Sequence, residues 1–279
     1  MKKAIILSAF AAVAMVACGG QTPQERVKAY EDAHKALIDE YGRTMDSLAS
    51  DREKAQAYYD EFVPKYVKFN LDAAKKNPDN EVAVQVLMNL RGLIDDEQTA
   101  EIFSRMPAEM LADEQVAALK KGLDARIATS EGKPFVDFTV NSVVGQTRSI
   151  PPQPKYAEVK LSDYVGKGKY ILLDFWSPWC GPCRREMPNI KAVYDKYKGD
   201  KFDVVSIAVW EREPVDVTIE TAAKLNMTWN QINNGGREPA ELYGVEGIPH
   251  LVLFGPDGTI LKRGFHGAEI EEVVSSYLK

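Results

Sequence analysis

Two of the chain's three cysteines, Cys180 and Cys183, stand three residues apart just after the apolar run Tyr170-Ile171-Leu172-Leu173-Asp174-Phe175-Trp176. A continuous apolar run of this length reads as a central strand buried on both faces. Helical spacing follows over 184–198, so the two thiols fall at a strand-to-helix junction. There the first sulfur faces unpaired backbone amides and the positive end of the helix dipole. Both stabilise a thiolate, the form of cysteine that attacks a disulfide. Cys183, one turn further in, is expected to be shielded and to act as the resolving thiol, with both sulfurs within reach of one disulfide. Pro182 suits the first turn because it lacks an amide hydrogen that would go unpaired. The same spacing could supply half of a zinc site, but there is no second cysteine pair and no histidine pair at ligand spacing.

The pattern around this junction is that of an α/β domain. Residues 135–140 alternate, as do 159–164, with the proline-rich stretch Pro151-Pro152-Gln153-Pro154 between them. A second buried strand is expected at 202–209 and a helix at 215–225. Two short strands, 251–254 and 259–262, flank a Pro-Asp-Gly turn, and a last helix runs to Leu278. This order predicts a mixed sheet with helices on both faces, over a domain spanning 131–279.

Residues 24–130 differ: their apolar positions recur at threes and fours throughout, predicting four to six helices. Asn77-Pro78-Asp79 and Met106-Pro107 mark breaks. No fixed-period repeat is evident. His34 lies in an apolar register with Ile38 at i+4, which makes it a core or boundary histidine rather than a metal ligand.

Met1-Lys2-Lys3 and the short apolar stretch 4–17 have the form of a secretory signal, too short for a spanning helix. Its end, Met15-Val16-Ala17-Cys18, resembles the lipobox of bacterial lipoproteins. That resemblance implies cleavage after residue 17, a lipid on Cys18 and a flexible tether over 18–23. No aspartate follows Cys18, which favours the outer membrane over the inner one within a periplasm-facing envelope location. Lipidation of Cys18 would leave the 180/183 pair as the mature chain's cysteines. The 35 basic and 41 acidic residues give −6, and loss of Lys2 and Lys3 would take this to −8. A nucleic-acid partner bound through its phosphates is therefore excluded.

The stretch Asp174-Phe175-Trp176-Ser177-Pro178-Trp179-Cys180-Gly181-Pro182-Cys183 resembles the active-site segment of the thioredoxin superfamily. Arg184-Arg185-Glu186-Met187-Pro188 and the exported setting are similar to its TlpA/ResA-like branch, and the preceding helices to the spacer found in such lipoproteins of Bacteroidetes-type bacteria. The resemblance implies a thioredoxin-like fold preceded by an all-α domain. It implies that Pro249, in Gly247-Ile248-Pro249, is cis and faces the disulfide, with Ile248 and Trp179 lining the substrate side. It also implies that Asp174 is the buried acid that takes the Cys183 proton and that Glu186 tunes the thiols or shapes the pocket. Trp176 is expected to pack, His250 to begin a strand, and Pro188 to bend the active-site helix.

The function expected from these residues is thiol-disulfide exchange, with Cys180 and Cys183 as the catalytic pair and a redox-active disulfide in place of a cofactor. Gly-Pro between the cysteines resembles reducing members of the superfamily. Expected partners are disulfide-containing proteins, cytochrome c precursors among them, and a membrane electron donor of the CcdA or DsbD kind. A thiol peroxidase is the first alternative; its P-x-x-x-[T/S]-x-x-C loop would want proline where Leu173 stands, although Ser177 matches the hydroxyl. Copper delivery is a further alternative, which calls for a wider cysteine spacing and a histidine ligand. The last is an adaptor whose helical domain binds a partner.

Overall fold

The computed structural model describes residues 21–150 and 153–278. Cys18 and the expected leader lie outside the described residues, as do Pro151 and Pro152. The described chain divides between Lys120 and Lys121 into two compact units.

The first unit is helical: α1 (Pro23–Ser47), α2 (Arg52–Lys76), α3 (Glu81–Asn89), α4 (Asp96–Ser104), the single turn α5 (Ala108–Leu111) and the start of α6 (Glu114–Ala128). Short polar residues set the helix starts. Thr22 and Glu25 form a reciprocal capping box on α1, Asp95 and Gln98 do the same on α4, and Asn80 accepts the Val82 amide at the start of α3. The expected break at Asn77-Pro78-Asp79 is the gap between α2 and α3. His34 stands in a largely buried cluster. Its Nε2 is 3.0 Å from the Tyr66 hydroxyl and 3.3 Å from Asn89 Nδ2, while Tyr30 donates to Asn70 at 2.7 Å. Burial pushes the His34 pKa down. No helix of the described residues is long and apolar enough to cross a membrane.

The second unit contains a two-stranded antiparallel ribbon, β1 (Thr139–Gln146) with β2 (Pro154–Lys160), and a five-stranded sheet. The sheet is built from β3 (Tyr170–Trp176), β4 (Phe202–Ala208), β5 (Asn230–Ile232), β6 (His250–Phe254) and β7 (Ile260–Arg263), in the order β5-β4-β3-β6-β7. β3 runs parallel to β4 and antiparallel to β6. Helices α7 (Gly181–Tyr197), α8 (Val215–Lys224), α9 (Glu238–Leu242) and α10 (Glu269–Tyr277) complete the unit.

Three local expectations are corrected. The strand expected at 135–140 begins only at Thr139, because the amides of Phe135 and Val136 bond instead to the Gly258 carbonyl and the Tyr243 hydroxyl. The strand expected at 159–164 ends at Lys160, where a 3-10 turn (Leu161–Asp163) takes over. The last turns of α6, read from sequence as the end of the helical half, lie in the second unit. Arg126 pairs with Glu246 at 2.6 Å, and Gly244 approaches the helix so closely that a Cβ would sit 2.5 Å from Arg126 Cγ. Gly244 also has φ of +57°, a conformation open to glycine at little cost.

The two-residue period of β3 divides its side chains between two cores. Leu172 and Trp176 join Val204, Leu253 and the inner face of α7 (Cys183, Met187, Ile190, Val193), together with Ile270 and Val274 of α10. Ile171, Leu173 and Phe175 join Phe138, Leu161 and Tyr243 on the other side. Asp174 falls between Leu172 and Trp176 in this alternation. It is therefore a carboxyl placed on the face that α7 covers.

Candidate active site

Cys180 is the N-cap of α7, with extended backbone, and its Sγ accepts the Cys183 amide at 3.1 Å. This is where a helix presents unpaired donors, so the sulfur is held by a dipole that favours its anion. Cys180 and Cys183 are joined as a disulfide. The Ile248 carbonyl oxygen is 3.5 Å from Cys180 Sγ, and the Ile248–Pro249 peptide is cis. The loop before β6 thus brings backbone polar groups beside the sulfurs, some 68 residues away along the chain.

Cys183 is fully buried, at 0% exposed, and Cys180 is 3% exposed. Both belong to the sheet's α7-side core, with Trp179 and Ile248 packed against it. Trp179 is itself fixed from two directions. Its indole N–H donates to the Trp210 carbonyl at 3.0 Å, and the Arg212 guanidinium lies 3.9 Å from its ring centroid. Trp210 adopts φ of +55° in the loop after β4, so the backbone that receives Trp179 is in an uncommon conformation.

Asp174 is fully buried, and desolvation pushes its carboxyl up to about 7. A hydrogen bond from Ser206 Oγ to Oδ2, 2.8 Å long, opposes that rise, and the negative charge of Glu186 adds to it. The Trp229 indole donates in turn to Ser206 Oγ at 2.8 Å. Oδ1 of Asp174 has no hydrogen-bond partner among the described residues. Ser206 and Trp229 escaped the sequence reading. Ser206 leaves a trace there, a hydroxyl inside the apolar strand Phe202–Ala208 and in parallel register with Asp174; the tryptophan arrives by tertiary packing alone.

Glu186 joins α7 to a distant loop. Its Oε1 accepts from Asn189 Nδ2 at 2.8 Å and from the Gly267 amide at 3.0 Å, which ties the helix to the loop before α10. Pro182, Arg185, Glu186, Pro249 and His266 line an open groove of about 340 Å³ beside the pair. His250 begins β6, its Nε2 3.3 Å from Arg263 Nη2. Burial and the Arg263 charge lower its pKa to about 3, so it is neutral near pH 7. Trp176 is buried in the core, and Pro188 lies within α7. No cluster of three or more His, Cys, Asp or Glu among the described residues could hold a metal.

Comparison with known proteins gives this geometry a family. Residues 132–263 match the AhpC/TSA family. The ResA thiol-disulfide oxidoreductase of Bacillus thuringiensis subsp. konkukian is 27% identical over 149 residues, covering 53% of this chain and 76% of that protein. Its counterpart in Oceanobacillus iheyensis is 30% identical over 134 residues, covering 48% of this chain and 62% of that protein. A solved thioredoxin-like protein from Bacteroides caccae superposes with a TM-score of 0.53 at 19% identity, over 81% of this chain and 83% of that one, and shares the fold. Residues 132–263 therefore form a thioredoxin-like domain of the AhpC/TSA family, and the chain is a thiol-disulfide oxidoreductase related to ResA.

Proposed function

We propose that this chain reduces disulfides in proteins of the cell envelope. The observation that carries the reading is Cys180 at the N-cap of α7, its sulfur receiving a backbone amide with the Ile248 carbonyl beside it. A thiolate formed there attacks one sulfur of a client disulfide and expels the other as a thiolate. Cys183 then gives up its proton and attacks Cys180 Sγ, which releases the second client thiolate. The client gains two electrons and the 180/183 pair closes as a disulfide. A dithiol donor of the CcdA or DsbD kind, held in the membrane, returns the electrons.

Asp174 is the proton acceptor in this scheme because it is a carboxyl held near neutrality on the face that α7 covers. Glu186 has a structural part, fixing the loop that carries Gly267 at the edge of the groove. Extended client backbone would pair at Ile248 and pack against Trp179 and Pro249. Equilibration of the pair with glutathione buffers tests the direction. A reductase should be more reducing than the glutathione couple; a strongly oxidising midpoint would make the chain an oxidant instead. Peroxide turnover through Cys180 as fast as disulfide exchange would favour the peroxidase alternative.

The envelope location rests on the Met1-to-Cys18 segment, with the chain held by lipid on Cys18 at the periplasmic face of the outer membrane. Fractionation of cells making the full chain should place it with membranes, and Cys18→Ala should release it. Equal membrane association of both would remove the lipid anchor from the scheme.

A further inference from the structure

The line Trp229, Ser206, Asp174 crosses the sheet's α7-side core without being accounted for by packing. Three polar side chains meet in a fully apolar surrounding, and a hydroxyl has a single proton to give. The indole N–H can only donate, so it occupies one lone pair of Ser206 Oγ. Within the described surroundings, the Ser206 proton then has one acceptor, Oδ2 of Asp174. The line is thus directional, running from indole to hydroxyl to carboxyl.

Resting on the reductase reading above, we propose that Trp229 and Ser206 are positioning residues that hold Oδ2 of Asp174 as an acceptor, leaving Oδ1 to take up the Cys183 proton. Oδ1 is the oxygen without a partner among the described residues, on a side chain that shares the α7-side face with Leu172 and Trp176. During resolution the Cys183 S–H bond breaks, its proton passes to Oδ1 and the sulfur's electron pair forms the bond to Cys180. The bond from Cys180 to the client breaks, and the client leaves as a thiolate. The proton on Oδ1 is returned when the pair is next reduced to the dithiol.

Other groups facing Asp174 fit this assignment. From α7 comes the charge of Glu186, which favours the protonated acid, and Cys183 belongs to the core formed on this face of the sheet. From β4 comes Ser206, and β6 presents Leu251 opposite in register. Without the indole, Ser206 could turn and accept a proton held on Oδ2. Without the hydroxyl, the anion would lose the one hydrogen bond that supports it.

The test is the pH dependence of the resolving step, followed as release of client thiol from a preformed mixed disulfide on Cys180. With Ser206→Ala the acid limb should move upward by on the order of one unit, since hydrogen bonds to charged groups are worth about that much. The rate below the midpoint should fall by roughly tenfold, and Ser206→Thr should restore it. Trp229→Phe should move the limb the same way by less. In the infrared, the protonated Asp174 carbonyl band should shift with Ser206→Ala and return with Ser206→Thr. Folded Ser206→Ala with an unmoved limb, or Ser206→Thr behaving like Ser206→Ala, would overturn the assignment while the reductase reading stood. Failure of the unsubstituted protein to resolve any mixed disulfide would instead overturn the reductase reading.

Discussion

Replacing Asp174 with asparagine should make the oxidised protein more stable at pH 8 and the resolving step slower. Folding carries this carboxyl from an ordinary value of 3.8 up to about 7. Between those values the folded chain keeps a proton that the unfolded chain releases, so stability falls as pH rises through that window and levels off above it. Below about pH 4 the acid is protonated in both states and the effect vanishes. The shift amounts to at most about 4 kcal/mol at about 1.4 kcal/mol per unit. Asparagine would return part of this by leaving its amide without a partner, about 1–3 kcal/mol. Urea unfolding at pH 5 and pH 8 should thus show a gain of about 1–3 kcal/mol confined to the higher pH. The same substitution removes the proton acceptor, and the resolving rate should fall by roughly a hundredfold. An equal stability change at both pH values would mean that the acid is not held protonated by burial.

The second large effect concerns Cys183. Its replacement by alanine leaves Cys180 at the helix N-cap but removes the sulfur that closes the cycle. Turnover with a dithiol donor should drop to background, and client proteins should collect as mixed disulfides through Cys180. Non-reducing electrophoresis would show these adducts, and Cys180→Ala in addition should abolish them. Normal turnover by Cys183→Ala would show that another group resolves the mixed disulfide. The captured clients would also name the pathway.

Much of the site was legible in the sequence because its parts obey local rules. β3 shows as an apolar run, the cysteines follow it at a helix start, and the strand's two-residue period fixes the face on which Asp174 lies. Ile248–Pro249 lay farther along the chain and needed the family resemblance to be placed. β5 was missed because Asn230–Ile232 is only three residues long and mostly polar, so no alternation could mark it. Its pairing with β4 is a tertiary matter. The strand expected at 135–140 failed for the opposite reason. Its alternation is real, but its first amides find partners in loops and in a tyrosine hydroxyl. The near-complete burial of Cys180 was not legible, because the Ile248 carbonyl that lies beside its sulfur comes from a distant segment.

So little exposure bears on which molecules the proposed reductase would serve. A sulfur that is 3% exposed, with a peptide carbonyl 3.5 Å away, would meet a cystine carried on a slack, ribbon-like stretch more readily than one locked inside a rigid globule. On that reading, chains still being threaded would be served first, and the structural cross-links of completed neighbours would be spared.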